Sequence, residues 1–132
     1  MGTLIDTSVL IAAERGQIDL AAVAGDEMET TAIAAISASE LLHGVYRLPH
    51  AVTRTRVQQF VESLLSAITI VPFDLDIARV HARLGAELAG KGATIGAHDL
   101  MIAATAAWLD YRVATRDLRS FPKVRGLNVV RW

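Results

Sequence analysis

The segment from Ala97 to Leu109 has helical length, and after Asp99 it is almost wholly apolar. A helix that is apolar all round cannot lie on a surface; it needs neighbours around most of its circumference. This segment is therefore expected to be central and buried on most sides. Around it, short β-like runs alternate with helical patterns. The strand candidates are residues 2–5, 30–36, 68–71, 112–115 and 127–130. The helical patterns begin at Val9, near Ile18, after Ser39, at Ala51 and after Asp74. Strands alternating with helices predict α/β architecture, with a parallel five-stranded sheet between helical layers. Val57, Phe60, Val61, Leu64 and Leu65 recur at helical spacing, and Pro49 separates that helix from the one before it. The two are expected to form a helical hairpin over residues 38–66. There is no internal repeat or linker-like tract, so residues 1–132 are expected to be one domain.

Bulk composition excludes several classes. Hydrophobic residues make up 52% of the chain and charged residues 20%, a globular balance. With no cysteine, disulfides, zinc–thiolate sites and a cysteine nucleophile are impossible. No basic region followed by an apolar stretch marks a signal peptide, and no run approaches a membrane span, so a cytoplasmic protein is expected. The formal net charge is −1, which does not suggest a generic nucleic-acid binder. Its distribution is uneven, however. Residues 112–132 hold six basic residues (Arg112, Arg116, Arg119, Lys123, Arg125, Arg131) and one acid, Asp117. Of the 13 basic and 14 acidic residues in all, that leaves seven bases and thirteen acids for residues 1–111. A basic strip beside an acidic pocket could hold a polyanion, although a solvated surface of mixed charge would look the same.

Four acids occupy comparable places. Asp6 follows Leu4-Ile5, Glu40 and Asp99 stand at the front of apolar helical patterns, and Asp117 follows the run Arg112–Thr115. In an open parallel sheet these positions fall at the carboxyl edge, where such sheets place their ligands. Each acid alone has an ordinary explanation as a helix or turn cap. Ser37-x-x-Glu40 even has capping-box spacing. Capping does not explain four such acids on one edge. Gathered there they would repel one another unless a cation intervened, and carboxylates suit hard cations such as Mg²⁺ or Mn²⁺. Ser8 and Thr115 set hydroxyls beside the cluster, either as partners that orient carboxylates or as caps. His43 and His98 lie close in sequence to Glu40 and Asp99, but neither belongs to a metal-binding histidine pair. The phosphate-cradling glycine motifs and the G-x-S-x-G elbow are both missing.

Four segments carry a resemblance. Leu4-Ile5-Asp6-Thr7-Ser8, the stretch Ile36–Gly44 around Ser37-Ala38-Ser39-Glu40-Leu41, Ala97-His98-Asp99-Leu100-Met101-Ile102-Ala103-Ala104, and Ala114–Phe121 around Thr115-Arg116-Asp117 stand in order. The chain resembles the PIN domain over essentially its whole length, and within that family the VapC toxins of bacterial VapBC toxin–antitoxin modules. The resemblance implies a metal site of Asp6, Glu40, Asp99 and Asp117, with Mg²⁺ as the cofactor and Mn²⁺ able to substitute. It also implies a cytoplasmic endoribonuclease toxin of a type II module, hydrolysing RNA phosphodiesters, homodimeric, and neutralised by a VapB-type antitoxin. Arg112, Arg116 and Arg119 would then be candidates to hold the RNA. Two other classes fit parts of the pattern: a catalytically inactive PIN-like module that only binds RNA or protein, and a phosphotransfer receiver. A receiver usually carries paired acids after its first strand and a lysine after its last. Here Asp6 is alone, and no lysine stands at that late position.

Overall fold

The computed structural model describes residues 1–132. Five short strands form one parallel sheet: β1 Thr3–Ile5, β2 Thr31–Ala34, β3 Thr69–Val71, β4 Arg112–Thr115 and β5 Val129–Arg131, in the order β3-β2-β1-β4-β5. Leu4 pairs with Ala32 on one side and Val113 on the other, which fixes β1 at the centre. Six α-helices run between and beside the strands: α1 Thr7–Glu14, α2 Leu20–Ala24, α3 Ala35–Tyr46, α4 Ala51–Ala67, α5 Leu75–Gly90 and α6 Ala97–Leu109.

Side-chain alternation along the central strands builds two cores. Leu4, Ala32, Ala34 and Val113 face α5 and α6, where they meet Ile77, Leu84, Leu88 and Ile102. Ile5 and Ile33 face the other way, onto Val9 and Leu10 of α1, Leu41 and Val45 of α3, and Val61 of α4. The expected layering therefore holds. The α6 helix is buried from Ile102 through Ala106, and its run of alanines lets it lie close against the sheet. Its two end turns reach solvent, at Ala97 and His98 and at Ala107 and Trp108. Ile102 is fully buried. Its replacement by alanine is expected to cost about 2–5 kcal/mol, read from the denaturant midpoint, because it removes packing from the larger core. No helix is long and apolar enough to cross a membrane.

The structure departs from the sequence reading at the junction of β2 and α3. The second strand ends at Ala34, and α3 begins at once with Ala35. Ser37 and Glu40 are therefore interior residues of the first two turns rather than a capping box. The N-cap is Ala34, whose side chain can accept nothing. A run of β-branched and small residues does not mark where a strand passes directly into a helix, so the strand was expected to extend to residue 36. Asp74 does cap α5, accepting from the Ile77 N–H at 3.0 Å.

Candidate active site

The carboxyl end of β1 delivers Asp6 to the middle of the sheet edge. Its backbone N–H donates to the Ala114 carbonyl at 2.9 Å, which extends the β1–β4 ladder by one step. The backbone at Asp6 is still extended (φ −70°, ψ 150°), so its side chain follows Leu4 toward α6. Asp6 holds the N-cap position of α1, yet its carboxylate makes no capping bond. Its Oδ2 instead accepts from Ser8 Oγ at 2.6 Å and from Thr115 Oγ1 at 2.8 Å. Both hydroxyls are themselves anchored: Ser8 Oγ accepts the Arg116 N–H and Thr115 Oγ1 the Asp117 N–H, each at 3.0 Å. The turn after β4 thus orients two hydroxyls, and these fix a carboxylate that is only 5% exposed. Both bonds fall on one oxygen, which leaves Oδ1 as the one available to a ligand.

Asp99 is the third residue of α6, behind the N-cap Gly96. A β-carbon at Gly96 would stand 3.4 Å from Asp99 Oδ2, so a side chain there would press on the carboxylate. Burial pushes the Asp99 carboxyl above its ordinary range. The charge of Asp6 adds to this, with smaller contributions from Glu40 and Asp117, while a Ser120 hydrogen bond works the other way. Three acids from three other segments are therefore close enough to Asp99 to oppose its ionisation.

Glu40 lies in the second turn of α3. Its Oε1 accepts from Thr7 Oγ1 at 2.9 Å, and its Oε2 stands 3.5 Å from His98 Nδ1. Asp117 follows β4 and is turned toward its own loop. Its carboxylate accepts the Arg119 backbone N–H and Nε at 3.0 Å each, and Nη2 at 3.3 Å. The Arg119 guanidinium, then its backbone N–H, hold the Asp117 carboxyl below its ordinary range. The turn cap that competes with a ligand role for Asp117 is thus present, at the rim of the same cluster. As the side chains stand, no three acidic or histidine groups close on a single point tightly enough to enclose an ion. Asp117 is drawn off by Arg119, and Glu40 is held by Thr7.

The three arginines separate. Arg119 is exposed at the rim beside Asp117. Arg116 donates through Nη1 to the Trp132 carbonyl at 3.2 Å, a bond that ties the C-terminus down. Arg112 stands at the start of β4. It donates to Thr3 Oγ1 at 2.9 Å and pairs with Glu27, at the amino edge of the sheet. That is the end opposite the carboxylates, so the expectation that Arg112 holds a ligand of this site is corrected: sequence adjacency to Arg116 spans the length of a strand. Sequence reasoning missed Thr7 and Ser37, which are hydrogen-bonded to each other at 3.0 Å. The i, i+3 spacing of Ser37 and Glu40 was the available signal.

Comparison with known proteins finds matches over nearly the whole chain. The PIN domain family model matches residues 3–127. Ribonuclease VapC1 of Rickettsia felis is 35% identical over 130 residues, covering 98% of this chain and 96% of that protein. The crystal structure of DNA-bound VapBC from Salmonella typhimurium superposes with a TM-score of 0.91 at 25% identity, covering 100% of this chain and 98% of the other. FitAcB from Neisseria gonorrhoeae gives a TM-score of 0.84 at 30% identity, covering 96% and 95%.

Proposed function

We infer that this chain, which belongs to the PIN-domain family and within it to the VapC ribonucleases, is a divalent-metal-dependent endoribonuclease toxin whose residues 1–132 act as one domain. The observation that carries this reading is the Asp6–Asp99 pair. One carboxylate is buried and locked by two hydroxyls, and the other is held above its ordinary proton affinity by burial and neighbouring acids. A set of oxygen donors that repel one another is what a hard cation relieves, so the residues fit Mg²⁺, with Mn²⁺ as its substitute. Asp6 and Asp99 would hold it, with Glu40 and Asp117 completing the site directly or through water. A bound ion supplies water activation and charge stabilisation for phosphodiester hydrolysis.

The chain's own groups do the rest. Ser8 and Thr115 keep Asp6 in one orientation, so no reorganisation is needed when substrate arrives. Glu40, with Oε2 turned toward the site mouth, accepts the proton of the attacking water. Arg119, whose side chain is largely exposed at the rim, holds the RNA backbone there, with the half-buried Arg116 as a weaker candidate. Arg119→Ala is expected to weaken RNA binding and to reduce the log–log salt slope by about 0.7 for one lost contact with a single strand. Filter binding across a salt series measures this, and an unchanged slope would place the RNA elsewhere.

For partners we propose a VapB-type antitoxin and a second copy of the chain, in the cytoplasm. A groove between α1, α3 and α4, lined by Ile11, Leu41, Val45, Val57 and Val61, runs up to Glu40. It suits the apolar face of an antitoxin helix. The deciding experiment is incubation of the purified chain with total RNA. Cleavage is expected with Mg²⁺ or Mn²⁺ and none in EDTA. RNA that binds but stays intact under every metal would support the inactive binding module instead.

A further inference from the structure

We propose that Thr7 is the positioning residue for Glu40, holding that carboxylate in its working orientation through its hydroxyl. This rests on the nuclease reading above and assigns a role within it. Asp6 and Thr7 are consecutive, but they serve opposite sides of the sheet. Asp6 turns toward α6, whereas Thr7, the first residue of α1, turns toward α3 and meets Ser37 and Glu40 there.

Thr7 Oγ1 is the donor in both of its side-chain hydrogen bonds. Thr7 has one hydroxyl proton, and Glu40 Oε1, 2.9 Å away, can only accept it when ionised. Ser37 Oγ, 3.0 Å away, is the second acceptor within reach of that one proton, and the ionised carboxylate is the stronger of the two. Ser37 is fully buried and Thr7 is 5% exposed, so water does not compete for either hydroxyl. Glu40 itself is partly exposed, and a glutamate in a second helical turn has three rotatable bonds. Without Thr7, nothing else in the structure fixes its Oε1. With Oε1 held, Oε2 is presented beside His98 at the mouth of the site. The junction of β1 and α1 therefore sets two carboxylates at once: Asp6 directly, and Glu40 through the next side chain.

Thr7→Val keeps the shape and removes the hydroxyl, and Thr7→Ser restores it. With total RNA and Mg²⁺, Thr7→Val is expected to lower kcat about 10- to 100-fold, the usual cost of losing a hydrogen bond to a site carboxylate, with little change in KM. Thr7→Ser should recover most of that loss. In a Glu40→Gln background, Thr7→Val should add almost nothing, because the group it positions has already been disabled. The same non-additivity is expected in Mn²⁺ affinity measured without RNA. Should the valine variant unfold, Thr7→Ala removes the same hydroxyl and carries the comparison. Unchanged kcat in Thr7→Val, a serine variant as impaired as the valine, or fully additive losses would each overturn the assignment. A wild-type chain that cleaves no RNA under any metal would instead overturn the nuclease reading itself.

Discussion

Asp99→Asn is expected to abolish RNA cleavage while leaving the metal-free protein at least as stable as the wild type at neutral pH. The two halves have one cause. Burial and the charges of Asp6, Glu40 and Asp117 oppose ionisation of Asp99 in the folded chain. In the unfolded chain the same group titrates normally. Its folded pKa lies above the unfolded value, so ionisation at neutral pH works against folding, and stability rises as pH falls through the raised value. An amide there removes the repulsion. The stabilisation of Asp99→Asn over wild type should therefore be largest at neutral pH and fade on acidification, once the wild-type carboxyl is protonated. Activity moves the other way, since a neutral amide is a poor ligand for Mg²⁺. A loss of roughly a thousandfold or more in kcat/KM, about 4 kcal/mol of transition-state stabilisation, is expected. Thermal unfolding in EDTA at several pH values, beside RNA cleavage in Mg²⁺, measures both halves. A variant that cleaves normally would remove Asp99 from the site. A variant less stable than wild type in EDTA would show that the carboxylate is a structural asset rather than a strained ligand.

How much of this was legible in the sequence depends on what each feature required. The α6 helix was legible because an apolar circumference permits only a central position, and Ile102 through Ala106 occupy it. The carboxyl-edge placement of the acids followed from strand–helix alternation alone. The Ser37–Glu40 spacing misled because three residues separate the ends of a capping box and also separate neighbours on one helical face. Only the point at which β2 becomes α3 distinguishes the two. Arg112 misled for a related reason. Four residues of strand carry the chain about 13 Å, so Arg112 and Arg116 belong to opposite edges of the sheet. The role of Thr7 could not be read at all. It depends on the side to which one side chain turns as an extended backbone enters a helix, and composition carries no trace of that.

The corrected position of Glu40 sharpens the second expectation. A glutamate at the third position of a capping box would stabilise its helix, and losing that bond would cost up to about 1 kcal/mol. In the second turn of α3 Glu40 satisfies no helix-end N–H, so that cost should be absent. Glu40→Gln keeps an oxygen that can still accept from Thr7 Oγ1, and the side chain keeps its length. Stability should therefore change by no more than about 0.5 kcal/mol, as for substitutions that break no buried network. What the amide cannot do is take a proton from water or contribute negative charge beside Asp6 and Asp99. Loss of a general base at this site is expected to lower kcat by roughly 10²- to 10⁴-fold, with KM for RNA little altered. Denaturant unfolding and single-turnover cleavage of the same preparation separate the outcomes. Near-normal turnover would move the proton acceptor to another carboxylate. A large stability loss would mean that Glu40 holds α1 to α3 through Thr7 and is structural first.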